Sequence, residues 1–145
     1  MSESLCRDAT FAEVAEQVRA LLAALAHAQD DGRTEDLLSL YAEDGIVDVP
    51  GLGSFAGASA LRKAFEGWAP TVPQRHIVTN TLVTDWDADS ARATSDVVLV
   101  QRGESGWAVA TVARYRDTFR NADGTWTLAR RSMEFIGETG GRPSP

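Results

Sequence analysis

The chain has 145 residues, 43% of them hydrophobic, with a formal net charge of −7, two histidines and one cysteine. That length supports one core rather than two. The acidic balance, with Arg130-Arg131 as the densest basic point, argues against nucleic acid as a partner.

No run approaches the roughly 18–20 apolar residues of a membrane span. Met1 to Arg7 lacks the form of a signal peptide, so the expectation is a cytoplasmic protein with no membrane partner. The lone Cys6 excludes an internal disulfide and a cysteine-built metal site.

Residues 1–9 read as a polar, disordered N-terminus. Thr10-x-x-Glu13 is a capping box, and Phe11, Val14, Val18, Leu21, Leu22, Leu25 and Gln29 share one stripe at helical spacing. Asp30-Asp31-Gly32 ends this helix, with Gly32 as its C-terminal stop. Thr34 caps a second, short helix with Glu35 and Asp36 in its first turn. Leu37, Leu38, Leu40 and Tyr41 form its buried side, and Glu43-Asp44-Gly45 stops it.

Ile46 to Val49 reads as a short strand closed by Pro50, Gly51 to Gly57 as a turn or a turn with a minor strand, and Ser59 to Trp68 as a third helix. From Arg75 the pattern is a meander: Arg75 to Asp85, Ser90 to Arg102, then a long hairpin of Trp107 to Phe119 and Thr125 to Ile136. Trp107, Val109, Thr111, Ala113, Tyr115, Asp117 and Phe119 form one alternating set. Asn121-Ala122-Asp123-Gly124 supplies the turn. Residues 10–136 therefore form the domain and residues 137–145 a flexible tail.

Helices followed by a long antiparallel meander give an α+β plan. A hairpin of this length must curve, and the helices fill the concavity, leaving a blind apolar pocket suited to a small apolar ligand. The outer face, with Val98, Val100, Val112 and Met133 among Arg and Thr, is apolar enough to associate.

The succession of a helix, GRTEDLLSLYAEDGIVDVPGLGSFAG, a third helix, RHIVTN, the meander and ARYRDTFRNADGTWTLARR resembles the NTF2-like superfamily. Within it the chain is most similar to the SnoaL-like and scytalone-dehydratase-like branch, over residues 11 to 136. The resemblance implies an NTF2-like cone, with helices in the concavity of a curved antiparallel, mixed-edge sheet. It implies His76, at the start of the first meander strand, as general base and acid, and Asp30 as the carboxylate that orients it. The chemistry stands on its own: imidazole titrates near neutrality, and a buried carboxylate sets its tautomer.

Several positions depart from the branch. Gln101 stands where a second histidine is found, Gln29 and Val49 where tyrosines are found, and Ala113 and Tyr115 where a serine and asparagine are found. Together with Asn80, of the run Arg75-His76-x-x-x-Asn80, these are the expected substrate contacts. Ketosteroid isomerase chemistry is excluded, because its base aspartate falls at Val49 and its helix tyrosine near Leu25. Family members pair through the sheet, so a homodimer is expected, with a trimer as runner-up.

Each reading has a plainer rival. His76 could be a satisfied core histidine, Asp30 a turn residue, and Tyr115 packing. His27 sits opposite the Leu21/Leu25 stripe, on a solvated face. Gln101 shares a face with Val97 and Leu99, whereas Asp96 and Asp48 alternate away from the interior. The four tryptophans read as core or rim packing. No phosphate loop, nucleotide fingerprint or metal-ligand cluster is visible, so the expected chemistry needs no cofactor and no metal. The expectation is a dehydratase or cyclase for an oxygenated, largely apolar, polyketide-like molecule. The alternatives are a binding or accessory protein of the same fold, or a cyclase that works by shaping its substrate.

Overall fold

A computed structural model of the protein describes residues 8–138. Along the chain lie α1 (Phe11–Asp30), α2 (Thr34–Ser39), β1 (Tyr41–Val49), β2 (Gly53–Ala56), α3 (Ala58–Gly67), β3 (Gln74–Trp86), β4 (Ser90–Gly103), β5 (Gly106–Ala122) and β6 (Thr125–Glu138). The strands form one six-stranded sheet in the order β2-β1-β6-β5-β4-β3. All pairs are antiparallel except β1 with β6. The architecture is an α+β, NTF2-like cone. Among the described residues no helix is long and apolar enough to cross a membrane.

Local chemistry sets the ends of α1. The Thr10 hydroxyl accepts from the Glu13 N–H at 3.2 Å, and the Glu13 carboxylate accepts from the Thr10 N–H at 2.9 Å. At the far end Gly32 adopts φ +67°. Arg33 N–H then reaches the Ala28 carbonyl at 2.9 Å and Gly32 N–H the Gln29 carbonyl at 3.2 Å, a Schellman closure. This closure makes Asp30 the last helical residue. Val14, Val18, Leu21, Leu22 and Leu25 press the helix into the concavity against Val47, Ala91, Ala93, Phe119 and Leu128. Full burial of such side chains stabilises by about 1.5–3 kcal/mol each.

Several expectations are corrected. The N-cap of α2 is Arg33, without a side-chain capping hydrogen bond, and Thr34 is the first helical residue. Leu40 and Tyr41 leave the helix. The Leu40 carbonyl accepts from Leu128 N–H at 2.9 Å, and Tyr41 opens β1 opposite Leu128. Pairing with β6 thus outweighs a helical run that has only local bonds to offer. Glu43-Asp44-Gly45 lies inside β1, where the register shifts between Tyr41 and Ile46. A Cβ on Gly45 would come within 2.9 Å of the Ala42 carbonyl oxygen, so a larger residue does not fit there.

Ala9, placed in the disordered terminus by its sequence, packs against the core. Gly137 and Glu138, placed in the tail, extend β6. The rest of both stretches, residues 1–7 and 139–145, lies outside the described residues.

The β5–β6 turn has Asp123 at φ +52° and Gly124 at φ +88°, the two positive values of a tight two-residue hairpin turn. Bulges bend the sheet and decide which side chains face inward. On β6, Phe119 pairs with Leu128 but Asp117 pairs with Arg131, so one extra residue enters between them. Beyond that bulge Arg131 and Met133 point into the concavity, which corrects the assignment of Met133 to the outer face. On β3 the register shifts between Thr79 and Leu82, with Asn80 at φ +52°. The outer face keeps Ile77, Trp107, Val109 and Ile136, which are well exposed.

Candidate active site

The C-terminal end of α1 meets the start of β3, and there the Asp30 carboxylate takes three hydrogen bonds. Its Oδ1 lies 2.6 Å from His76 Nδ1 and accepts from Gln74 Nε2 at 3.2 Å, while Oδ2 accepts from the His76 backbone N–H at 2.8 Å. A carboxylate accepts and does not donate, so the contact selects the tautomer of the neutral ring in which Nδ1 holds the proton and Nε2 faces away from Asp30 with the lone pair. The two side chains are 9% and 5% exposed, so water has little access to the contact. Gln101 Nε2 donates to Gln74 Oε1 at 3.4 Å, extending the chain of bonds behind the carboxylate.

His76 borders an interior cavity of about 210 Å³. Val49, Val97, Leu99, Ala113 and Met133 provide its aliphatic walls, and Leu52, Trp68 and Phe135 its more open side. Gln29, Thr111, Tyr115 and His76 are its polar points, and among the described residues no Asp, Glu, Lys or Arg borders it. A wider hollow of about 970 Å³ runs outside, between α1 and β3, past Arg19, exposed His27, Asp31 and Arg75 to the other side of His76. The inner cavity is the better ligand site, because its walls are apolar and its polar groups few.

Beneath the cavity lies a buried ion pair. Arg131 Nε and Nη2 each donate to Asp117 at 2.9 Å, with the side chains 5% and 1% exposed. The guanidinium carbon sits 3.8 Å from the centroid of the Tyr115 ring. Burial alone would lower the Arg131 pKa, but the charge and hydrogen bonds of Asp117 outweigh it and hold the group above its ordinary value. Burial pushes the Tyr41 and Tyr115 hydroxyls up, and Arg131 offsets this only in part. Both phenols therefore stay protonated at neutral pH.

The structure brings Asp30 and His76 together and places Gln29, Val49, Ala113 and Tyr115 around the same cavity. It does not bring Gln101 to the cavity wall, where a substrate contact was expected. That side chain is turned to Gln74 instead. Asn80 is also apart from the inner cavity. The β3 bulge sends its amide to Asp96 at 3.1 Å, a carboxylate that also accepts from Arg114 on the outer face. Asp48 bonds to Arg130 and Ser132, facing out as its alternation required.

Gln74, Thr111, Asp117 and Arg131 were missed from the sequence. Asp117 carried a readable signal, because it shares the alternating set of Ala113, Tyr115 and Phe119, and a carboxylate on a core face demands a cation. Nothing local marked Arg131. Among the described residues no group of three or more His, Cys, Asp or Glu is placed to hold a metal ion.

Comparison with known proteins bears on the family and the fold. A family model described as a SnoaL-like domain matches residues 11–132. No curated protein matches. A protein of unknown function from Mycobacterium tuberculosis is 25% identical, with a TM-score of 0.80, over 87% of this chain and 73% of its own. A scytalone dehydratase candidate from Novosphingobium aromaticivorans is 21% identical, with a TM-score of 0.79, over 90% and 89%. An NTF2-like protein with a cystatin-like fold from the same organism is 24% identical, with a TM-score of 0.75, over 91% and 92%. At these identities the last two speak for the fold alone.

Proposed function

We propose that this chain, which belongs to the SnoaL-like family, is an acid–base enzyme of lyase or isomerase type that needs no cofactor. Its substrate is a small, neutral, oxygenated ring compound, such as a polyketide-like intermediate, and the reaction is a dehydration or cyclisation. The observation that carries the reading is the buried 2.6 Å contact of His76 with Asp30 beside an apolar cavity. A wall that carries no Asp, Glu, Lys or Arg among the described residues favours a neutral ligand. An apolar cavity of roughly 150 Å³ accepts benzene, so about 210 Å³ suits one or two rings.

In this mechanism Nε2 of His76 removes a proton from the carbon α to a carbonyl, and the C–H electron pair moves into an enolate. Asp30 stabilises the imidazolium at Nδ1. In a dehydration the imidazolium then returns that proton to a β-hydroxyl, which leaves as water while the C=C bond forms. In a cyclisation the enolate carbon instead attacks a second carbonyl of the same molecule, and the imidazolium protonates the new alkoxide.

The test is α-proton exchange into D2O, followed by NMR, across a panel of one- and two-ring ketones. The protein should accelerate exchange for some members. His76→Ala should lower the rate on the order of a hundredfold or more, and Asp30→Asn should also slow it, because an amide orients the ring without stabilising its charge. A folded His76→Ala protein that exchanges at the wild-type rate defeats the acid–base reading. The pocket would then act by shape or by binding alone.

A further inference from the structure

We propose that Tyr115, backed by Arg131, forms an oxyanion subsite in the cavity, one that binds the enolate or phenolate oxygen of a ring substrate. The proposal rests on the acid–base reading of the same cavity and adds to it the place where the developing negative charge is held.

Three observations lead there. Tyr115 is 4% exposed yet borders the cavity that His76 also borders. Among the described residues its hydroxyl has no hydrogen-bond partner, so the donor is free for a ligand. Finally, a guanidinium covers the ring face at 3.8 Å, fixed there by both Asp117 oxygens. A buried ion pair is weak support for a fold, since apolar residues of the same volume often serve as well or better. Its placement against one tyrosine gives it a different use.

The phenol is kept neutral by burial, so it remains a donor. When Nε2 of His76 takes the α-proton, the carbonyl π pair moves onto oxygen. That oxygen accepts the Tyr115 hydrogen bond, and no proton passes from the tyrosine. The charge of Arg131 strengthens the donor in a medium that screens little, and it does so without reorganisation. Asp117 holds Arg131 and touches no ligand, so Arg131 and Asp117 are positioning residues.

The test needs no natural substrate. Nitrophenols of graded acidity are bound to the protein, and absorbance reads how much of the bound phenol is ionised. Wild type should favour the phenolate beyond its fraction in water. Tyr115→Phe should lower the bound ratio of phenolate to phenol roughly tenfold to a hundredfold. The paired change Arg131→Met with Asp117→Leu should lower it less, and Tyr41→Phe, whose side chain does not border the cavity, should leave it unchanged.

The series is repeated in His76→Ala, where the dependence on Tyr115 should persist. Failure of the acid–base reading, seen as unchanged ketone exchange in His76→Ala, is thus told apart from failure of the subsite. An ionised fraction that ignores Tyr115→Phe overturns the subsite, and so does a folded wild type that takes up none of the phenols. Should the paired variant not fold, Tyr115→Phe alone decides.

Discussion

Arg131→Met tests the account of the interior most severely. The guanidinium makes both hydrogen bonds to Asp117, which is 1% exposed and so has no water to turn to. Removing one partner of such a pair costs about 3–5 kcal/mol. A domain of this length has about 7–20 kcal/mol in hand at roughly 0.05–0.15 kcal/mol per residue. The variant should therefore fold, but with a substantial part of its stability gone. With a urea slope of about 2 kcal/mol per molar, the midpoint should fall by about 2 M. Adding Asp117→Leu removes the stranded charge, and the paired variant should recover to within about 1–2 kcal/mol of wild type. Urea unfolding of all four proteins, followed by circular dichroism at neutral pH, completes the cycle. A loss below about 1 kcal/mol for Arg131→Met alone, or a paired variant no better than that single change, refutes the reasoning.

Other outcomes follow from the same structure. The sequence holds two tyrosines, Tyr41 and Tyr115, both buried and both with raised hydroxyl pKa. Above about pH 10 the unfolded chain releases protons that the folded chain keeps, so stability falls as pH rises. Tyrosinate absorbance should accordingly appear together with unfolding and not before it. Ser54, then Arg130 and Ser132, hold the Asp48 carboxylate below its ordinary value. Its contribution is present above the unfolded Asp value near about pH 4 and is lost as pH falls through the folded one. Asp48→Asn should therefore lose less stability than wild type between neutral pH and pH of about 2, read by urea midpoints; an equal loss removes Asp48 from the acid response. Gly45→Ala should destabilise by about 1–3 kcal/mol through its clash with the Ala42 carbonyl, and an unchanged melting temperature would contradict that packing. Self-association through the outer face is expected as a dimer, and light scattering that finds a monomer at micromolar concentration ends that expectation.

Much of this molecule is written in short-range order. Thr10 and Glu13 announce the start of α1, Gly32 its end, and the apolar stripe between them its buried face, because each depends on residues within a few positions. Asp123-Gly124 likewise marks the hairpin by its backbone requirements alone. Asp30 and His76 are singled out through the resemblance to the scytalone-dehydratase-like branch, which has a carboxylate just after the first helix and a histidine at the start of the first meander strand. Their meeting at 2.6 Å depends on α1 lying across the sheet.

The tertiary structure decided the rest through single inserted residues. Strict alternation from Leu128 would send Arg130 inward and Met133 outward, and from His76 it would send Asn80 inward. The β6 bulge instead buries Arg131 and brings Met133 to the cavity, while the β3 bulge turns Asn80 out to Asp96. A period-two pattern carries no mark of where one extra residue will enter. That is settled by whether Arg131 finds Asp117 across the strand and whether the sheet can bend around α1, both of which exist only after the chain has folded.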